Sequence, residues 1–488
     1  MPVKKNSVPE RKGLSRRKFI QSASVAAAAF TIVPRFVLGN GYRAPSDTLY
    51  VAGIGVGGKG RSDIASFAES GKAEINFLCD VDDRNAAKSI QAFPKAKYYK
   101  DYREMLDKEH RNIDAVSVST PDHNHAVQAM AAMQLGKHVY VQKPLTHDIF
   151  EARALTEAAK KYKVVTQMGN QGASGDGVRQ LREWYNAGLL GDVHTVYVWT
   201  DRPVWPQGIP WPESKAAVPK ELDWNLWLGT APYKEYADKI VPFNWRGWWD
   251  YGTGALGDMA CHLVEPPFRV LNLSYPLDVT ASVGSVYVDE FRRGYFPESC
   301  PPSSYIVLTF PAAAGGKTPI KLHWMDGGIQ PPRPEELGAN ETMGDGGNGV
   351  IFVGTKGKMM CSTYGANPQL LPTSKTKDAK VPQTLSRVPG GANGHYAQWV
   401  EASLAGYGKM EVSSPFDIAG PLTETILMGN LAIRSHDVRE PRNDRPGQFN
   451  YPGRNIKLMW DGKNMKVTNF DAANQFVKRE YREGWKLS

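Results

Sequence analysis

Leu49-Tyr50-Val51-Ala52-Gly53-Ile54-Gly55-Val56-Gly57-Gly58-Lys59-Gly60 reads as an apolar strand that runs straight into a glycine-rich turn, with a helix following through Ile64 to Glu69. The pattern Gly55-x-Gly57-x-x-Gly60 therefore sits between strand and helix, the context in which it carries meaning. A second frame, Gly53-x-Gly55-x-x-Gly58, also matches, but the first leaves the strand intact. Glycines here permit a tight turn and close backbone approach to a pyrophosphate, whose charge the helix N-terminus meets. Asp80 lies at the end of a second strand, Ile75 to Leu78, twenty residues after Gly60. A carboxylate at that spacing accepts hydrogen bonds from ribose hydroxyls and repels a 2′-phosphate, favouring NAD over NADP.

Outward from this turn, short apolar strands at Ala115 to Val118 and Val139 to Val141 alternate with helical stretches up to about Val165. Such alternation predicts a doubly wound parallel sheet, an α/β Rossmann domain over residues 46–168. After Gly169 the texture changes to longer loops rich in Pro, Gly and Trp, with strand-like runs at Thr195 to Trp199, Ser282 to Val288 and Tyr305 to Phe310. Residues 169–488 read as an α+β domain with a largely antiparallel open sheet. Residues 365–393 read as a surface excursion, and helices at His395 to Leu404 and Thr423 to Ile433 are expected to pack on that sheet.

A formal charge of +9 would ordinarily suggest nucleic acid or an acidic membrane as partner. Residues 1–45, however, hold nine Lys or Arg against the single acid Glu10, which leaves 50 basic and 49 acidic residues in the remainder. A nucleic-acid role loses its support. The basic front, Ser15-Arg16-Arg17-Lys18-Phe19-Ile20 followed by the alanines to Ala29, resembles a twin-arginine export signal, so residues 1–45 are expected to be signal and linker. The apolar run to Val33 is interrupted by Gln21, Ser22 and Ser24 and is too short for a stable membrane anchor. The destination implied is periplasmic or secreted, with the twin-arginine machinery as a partner. Cys79, Cys261, Cys300 and Cys361 are scattered and do not read as a zinc knuckle or disulfide framework.

Three further segments carry chemistry: Ser119-Thr120-Pro121-Asp122-His123-Asn124-His125, then Gly136 to Leu145 with Gln142-Lys143-Pro144, then Gly252 to His262. With the glycine turn they resemble the hallmark segments of Gfo/Idh/MocA oxidoreductases, across most of residues 48–435. The resemblance implies substrate bound over the nicotinamide between the two domains, and homo-oligomers built through the exposed sheet face. It aligns Lys143 with the family's Glu-Lys-Pro lysine, and Asp258 and His262 with its Asp-x-x-x-His pair. Gln142 departs from it, standing where Glu is usual and removing a negative charge beside Lys143.

The residues support the same chemistry without the name. Oxidation of a secondary alcohol needs a hydride acceptor, a base and a group to stabilise alkoxide charge. Asp258 and His262 are four apart and share a helix face. His262 is read as the base, Lys143 as the polarising ammonium and Asp258 as the orienting group, with the roles of Lys143 and His262 exchangeable. Gly55, Gly57, Gly60, Asp80, Thr120, Pro121, His125 and Gln142 are read as cofactor-binding, and Asn170 and Gln171 as further cleft candidates. His123 and His125 lack a third ligand, so no metal is expected.

Eight of the thirteen tryptophans fall between Trp199 and Trp249, about half of them expected in the core and the rest as flat surfaces for sugar rings. The expected function is an exported NAD-dependent oxidoreductase acting on a secondary hydroxyl of a sugar or glycoside, with tightly bound, recycled cofactor. A glycosidase working through transient oxidation, or a non-catalytic sugar-binding protein, are the alternatives.

Overall fold

A computed structural model describes residues 47–213, 216–313 and 315–487. The twin-arginine reading of residues 1–45 lies outside them. Six strands form the first sheet: β1 (Leu49–Ile54), β2 (Ala73–Cys79), β3 (Lys97–Tyr99), β4 (Ala115–Val118), β5 (His138–Val141) and β6 (Thr166–Met168). Their order is β3-β2-β1-β4-β5-β6, and every neighbouring pair is parallel. This is the Rossmann arrangement, in which ligands bind outside the carboxyl ends of the strands where the order reverses beside β1. β4 is buried at every position, as a strand covered by helices on both faces must be.

The second sheet has nine strands. In spatial order they are Gln369–Leu371, Lys358–Cys361, Gly349–Gly354, Val193–Trp199, Pro319–Met325, Ser304–Ala312, Asp278–Val283, Leu458–Asp461 and Lys466–Val467. Val193–Trp199 and Pro319–Met325 run parallel, and the remaining pairs are antiparallel. Strand Ser304–Ala312 alternates buried and half-buried side chains over most of its length, the pattern of a sheet with one face on the core.

Three expectations need correction. The run Ser282 to Val288 is broken after Val283, and Tyr287–Asp289 pairs separately with Arg292–Arg293. Residues 365–393 are not wholly excursion, since Leu370 and Leu371 are buried in the edge strand of the large sheet. Helix His395–Ala405 packs on the Rossmann domain, where Trp399 meets Phe67 with ring centroids 4.8 Å apart and Tyr140 at 5.6 Å. Its apolar stripe predicts burial without naming the partner.

Helix Phe416–Ser435 packs against helix Ile149–Tyr162, helix Gly254–Leu263 and strand Asp278–Val283, joining the two layers. Cys79, Cys261, Cys300 and Cys361 are buried and unpaired. Among the described residues, no helix is long and apolar enough to cross a membrane.

Candidate functional site

A cavity of about 720 Å³ opens at the carboxyl ends of the parallel strands and is lined from both domains. Gly55, Gly57, Asp80, Thr120, Pro121, Gln142, Lys143, Gln171, Asp258 and His262 all border it.

At its floor the glycine turn is shaped by close approach. Gly55 has φ of +75°, and a Cβ on Gly60 would lie 1.8 Å from the Gly55 carbonyl oxygen, so turn and helix meet only through glycine. Gly57 caps helix Gly58–Glu69 with no side-chain bond to its first amides. Helix-start N–H groups without a side-chain cap, at a turn that only glycines can close, fit a pyrophosphate.

Asp80 secures this turn. Its Oδ2 accepts from the backbone N–H groups of Val56 at 3.0 Å and Gly57 at 3.1 Å, and its Oδ1 from Asp82 at 3.0 Å. Burial pushes its carboxyl up to about 6, against the pull of those amides. The expected ribose acceptor is therefore first a clamp on the loop, with acceptor capacity left on Oδ1.

His125 does not border the cavity. It lies beneath the loops, its Nδ1 2.8 Å from the Pro144 carbonyl and its Nε2 2.8 Å from that of Thr120, tying two hallmark segments together. His123 is likewise buried, against Trp227 and Tyr251. Asn170 is buried behind the cleft, its Nδ2 3.4 Å from the Cys261 carbonyl.

Helix Gly254–Leu263 carries the acid and the histidine. Its entry is fixed where Thr253 donates to Asp122 Oδ2 at 2.7 Å and Asn430 donates to the Thr253 carbonyl at 2.9 Å. One turn on, Asp258 Oδ1 accepts from Lys143 Nζ at 2.6 Å, and its backbone carbonyl accepts from the same ammonium at 3.0 Å. Arg246 Nε adds a contact of 3.3 Å to Oδ1. Burial acts to raise the Asp258 carboxyl, but Lys143 and Arg246 outweigh it and hold it at about 2. The two side chains form a salt bridge across the domain boundary.

His262 is pushed down to about 3, by burial first and the Lys143 charge second. It is neutral at physiological pH, so one ring nitrogen can accept a hydrogen bond, while the same burial makes it a weak base. Its ring meets that of Tyr364 edge-on at 4.7 Å and 83°. Tyr364 sits at φ of +65°, rare for a bulky side chain.

Gln142 donates from its Nε2 to Asp63 Oδ2 at 2.9 Å. Asp63 is fully buried and also bonded to Ser119 and Lys59. A carboxylate is thus present beside position 142 on another element, which explains why an amide fits there.

The tryptophans correct another expectation. Trp199, Trp205, Trp224, Trp227, Trp245, Trp248 and Trp249 are all buried, leaving Trp211 half-buried. Trp224 stacks on Trp227 at 4.7 Å in an aromatic cluster of its own. Trp205, Trp227 and Trp245 nonetheless present edges or faces to the cavity.

Residues 49–170 match the model of an oxidoreductase family's NAD-binding Rossmann fold, and residues 177–286 that of the same family's C-terminal alpha/beta domain. The family of both models is Gfo/Idh/MocA. A glycosyl hydrolase family 109 protein of Shewanella pealeana is 26% identical over 282 residues, 51% of this chain and 55% of that protein. Levoglucosan dehydrogenase of Pseudarthrobacter phenanthrenivorans is 25% identical over 189 residues, 38% of this chain and 40% of that protein. The matched segments thus span about half of these relatives or less. Among solved structures, the WlbA dehydrogenase of Bordetella pertussis with NADH and UDP-GlcNAcA has a TM-score of 0.52 at 16% identity, covering 78% of this chain and 94% of that one. A levoglucosan dehydrogenase with NADH and levoglucosan has a TM-score of 0.52 at 17% identity, covering 79% and 98%. These show the fold: a parallel Rossmann sheet followed by a mostly antiparallel mixed sheet.

Among the cavity residues that escaped the reading of family segments are Arg246, Tyr364 and Trp485. Arg246 lies within the tryptophan-rich stretch, ahead of the Gly252 to His262 segment, and its sequence position alone did not mark it. Tyr364 and Trp485 carried no signal, because the chain's return path alone brings them there.

Proposed function

We propose that the chain is an NAD-dependent oxidoreductase acting on a secondary hydroxyl of a sugar or glycoside. The observation that carries this is the ion pair of Lys143 with Asp258 and the neutral His262, bordering one cavity with the glycine cradle. When bound, the nicotinamide supplies the redox partner for the hydroxyl-bearing carbon. Lys143 spends two of its three donors on Asp258 and keeps one for the substrate oxygen. Lys143 and His262 share the hydroxyl proton, and Asp258 positions Lys143. Asp80 supports NAD over NADP, since a buried acid beside the ribose site opposes a 2′-phosphate.

The relatives named as glycosyl hydrolases favour a second reading, in which the same residues oxidise a glycoside transiently to permit elimination and hydrolysis. Aryl glycosides offered with NAD separate the two. Net growth of the reduced-nicotinamide band without aglycone release supports the dehydrogenase; aglycone release without net reduction supports the glycosidase. Neither signal, with NAD bound, would leave a sugar-binding protein. Export in folded form with a recycled nucleotide, and a homo-oligomeric state, are parts of this proposal that rest on the sequence reading alone.

A further inference from the structure

Residues 471–487 lie beyond both family segments, yet they fold back onto the Rossmann domain. Phe150 N–H donates to the Val477 carbonyl at 3.1 Å. The Arg479 backbone N–H donates to Asp148 Oδ2 at 3.2 Å, and its guanidinium to Glu151 Oε1 at 2.7 Å. The same oxygen accepts from Tyr481 at 2.6 Å, and Glu151 is fully buried. A buried carboxylate satisfied by the returning segment anchors it, because removing either partner strands a charge. Arg482 then donates to the Gly229 carbonyl at 3.1 Å and to Asn225 Oδ1 at 2.7 Å.

This path delivers Trp485 to the cavity wall beside Asp101 and Tyr102. The Arg103 guanidinium lies over its ring at 4.5 Å, and Tyr102 is tilted against it at 6.4 Å. In this strand order the acid after β2 marks the adenosine ribose. The loops after β2 and β3 therefore border the adenine side, where Trp485 offers a fixed aromatic surface.

Resting on the NAD-binding reading above, we propose that Trp485 packs on the adenosine half of the bound dinucleotide, making Val477–Leu487 part of the nucleotide site and a brake on its release. Base-on-aromatic contacts of this kind are worth about 1–3 kcal/mol, on the order of tenfold or more in affinity.

The test is binding of NADH, ADP-ribose and nicotinamide mononucleotide to the full chain and to its Trp485→Ala and Trp485→Phe variants. The expected result is a loss of about tenfold or more for NADH and ADP-ribose in Trp485→Ala, with faster NADH release, little change for the mononucleotide, and recovery in Trp485→Phe. Equal affinities of Trp485→Ala and the unaltered chain for ADP-ribose would overturn the proposal, as would equal losses for all three ligands. An unaltered chain that binds none of them overturns the NAD reading together with it.

Discussion

Lys143 Nζ lies 2.6 Å from Asp258 Oδ1 and 3.0 Å from the Asp258 carbonyl, so one residue of the second domain grips the lysine of the first by side chain and backbone together. The relation joins the layers at the point where the chemistry is placed. Lys143→Met should lower kcat by roughly 10²–10⁴, the usual worth of a positioned proton-transfer or polarising group. Asp258→Asn should also lower kcat while leaving the lysine misplaced, and the double variant should lose no more than the worse single one, as expected of residues acting as a unit. Steady-state kinetics on the preferred sugar check this.

The pH dependence separates catalysis from nucleotide binding. His262 is depressed to about 3 and stays neutral across pH 5–8, so kcat at saturating nucleotide should show no inflection at the ordinary histidine value near 6.5. Asp80 is raised to about 6, and its protonation weakens the charge-assisted bonds to Val56 and Gly57 and removes the negative charge on the ribose side. Nucleotide affinity should fall as pH drops through about 6. For folding the sign is opposite: a raised carboxyl costs stability above pH 6, and that cost is relieved as pH falls towards 4. Nucleotide titrations and urea midpoints across this window, with Asp80→Asn as reference, measure both.

Gln142→Glu would set a second carboxylate against buried Asp63, which already holds a raised carboxyl because it is desolvated. Two acids there share a proton. The variant should be less stable at pH 8 than at pH 5, with about 1.4 kcal/mol of relief for each pKa unit of upward shift. Thermal unfolding at the two pH values shows the difference.

Glu183, on helix Asp176–Asn186, receives Arg387 Nη2 at 2.7 Å and the backbone N–H groups of Thr384 and Leu385 at 2.8 and 2.9 Å. Arg387 leads the causes that hold its carboxyl at about 2. Its contribution is present above the ordinary glutamate value and is lost as pH falls from about 4.5 towards 2. Glu183→Gln should cost about 1–3 kcal/mol at pH 7, read as a shift in denaturant midpoint, and less at pH 3.

The legible part of this molecule is its local part. The strand, glycine turn and Asp80 announce themselves within a few dozen residues, and Asp258 and His262 declare a shared helix face by spacing alone. What was not legible depends on the returning chain. The stripe on His395–Ala405 promised a buried face but not that Phe67 would fill it. The tryptophans carry the same indole whether they line a cavity or pack on one another, so seven of the eight are buried where the sequence promised about half. Asp63 carries no signal of its role in the sequence, and only the fold sets Gln142 on it.

The central claim is that the cradle and the Lys143, Asp258 and His262 group serve one redox reaction on a sugar. The most direct measurement is the absorbance of the purified protein across the reduced-nicotinamide band, with NAD supplied, as mono- and disaccharides and glycosides are added one at a time. The expected result is a rise with a particular sugar, reversed by the corresponding keto-sugar and abolished in Lys143→Met. Absence of any response, together with no detectable binding of NAD or NADP, would contradict it.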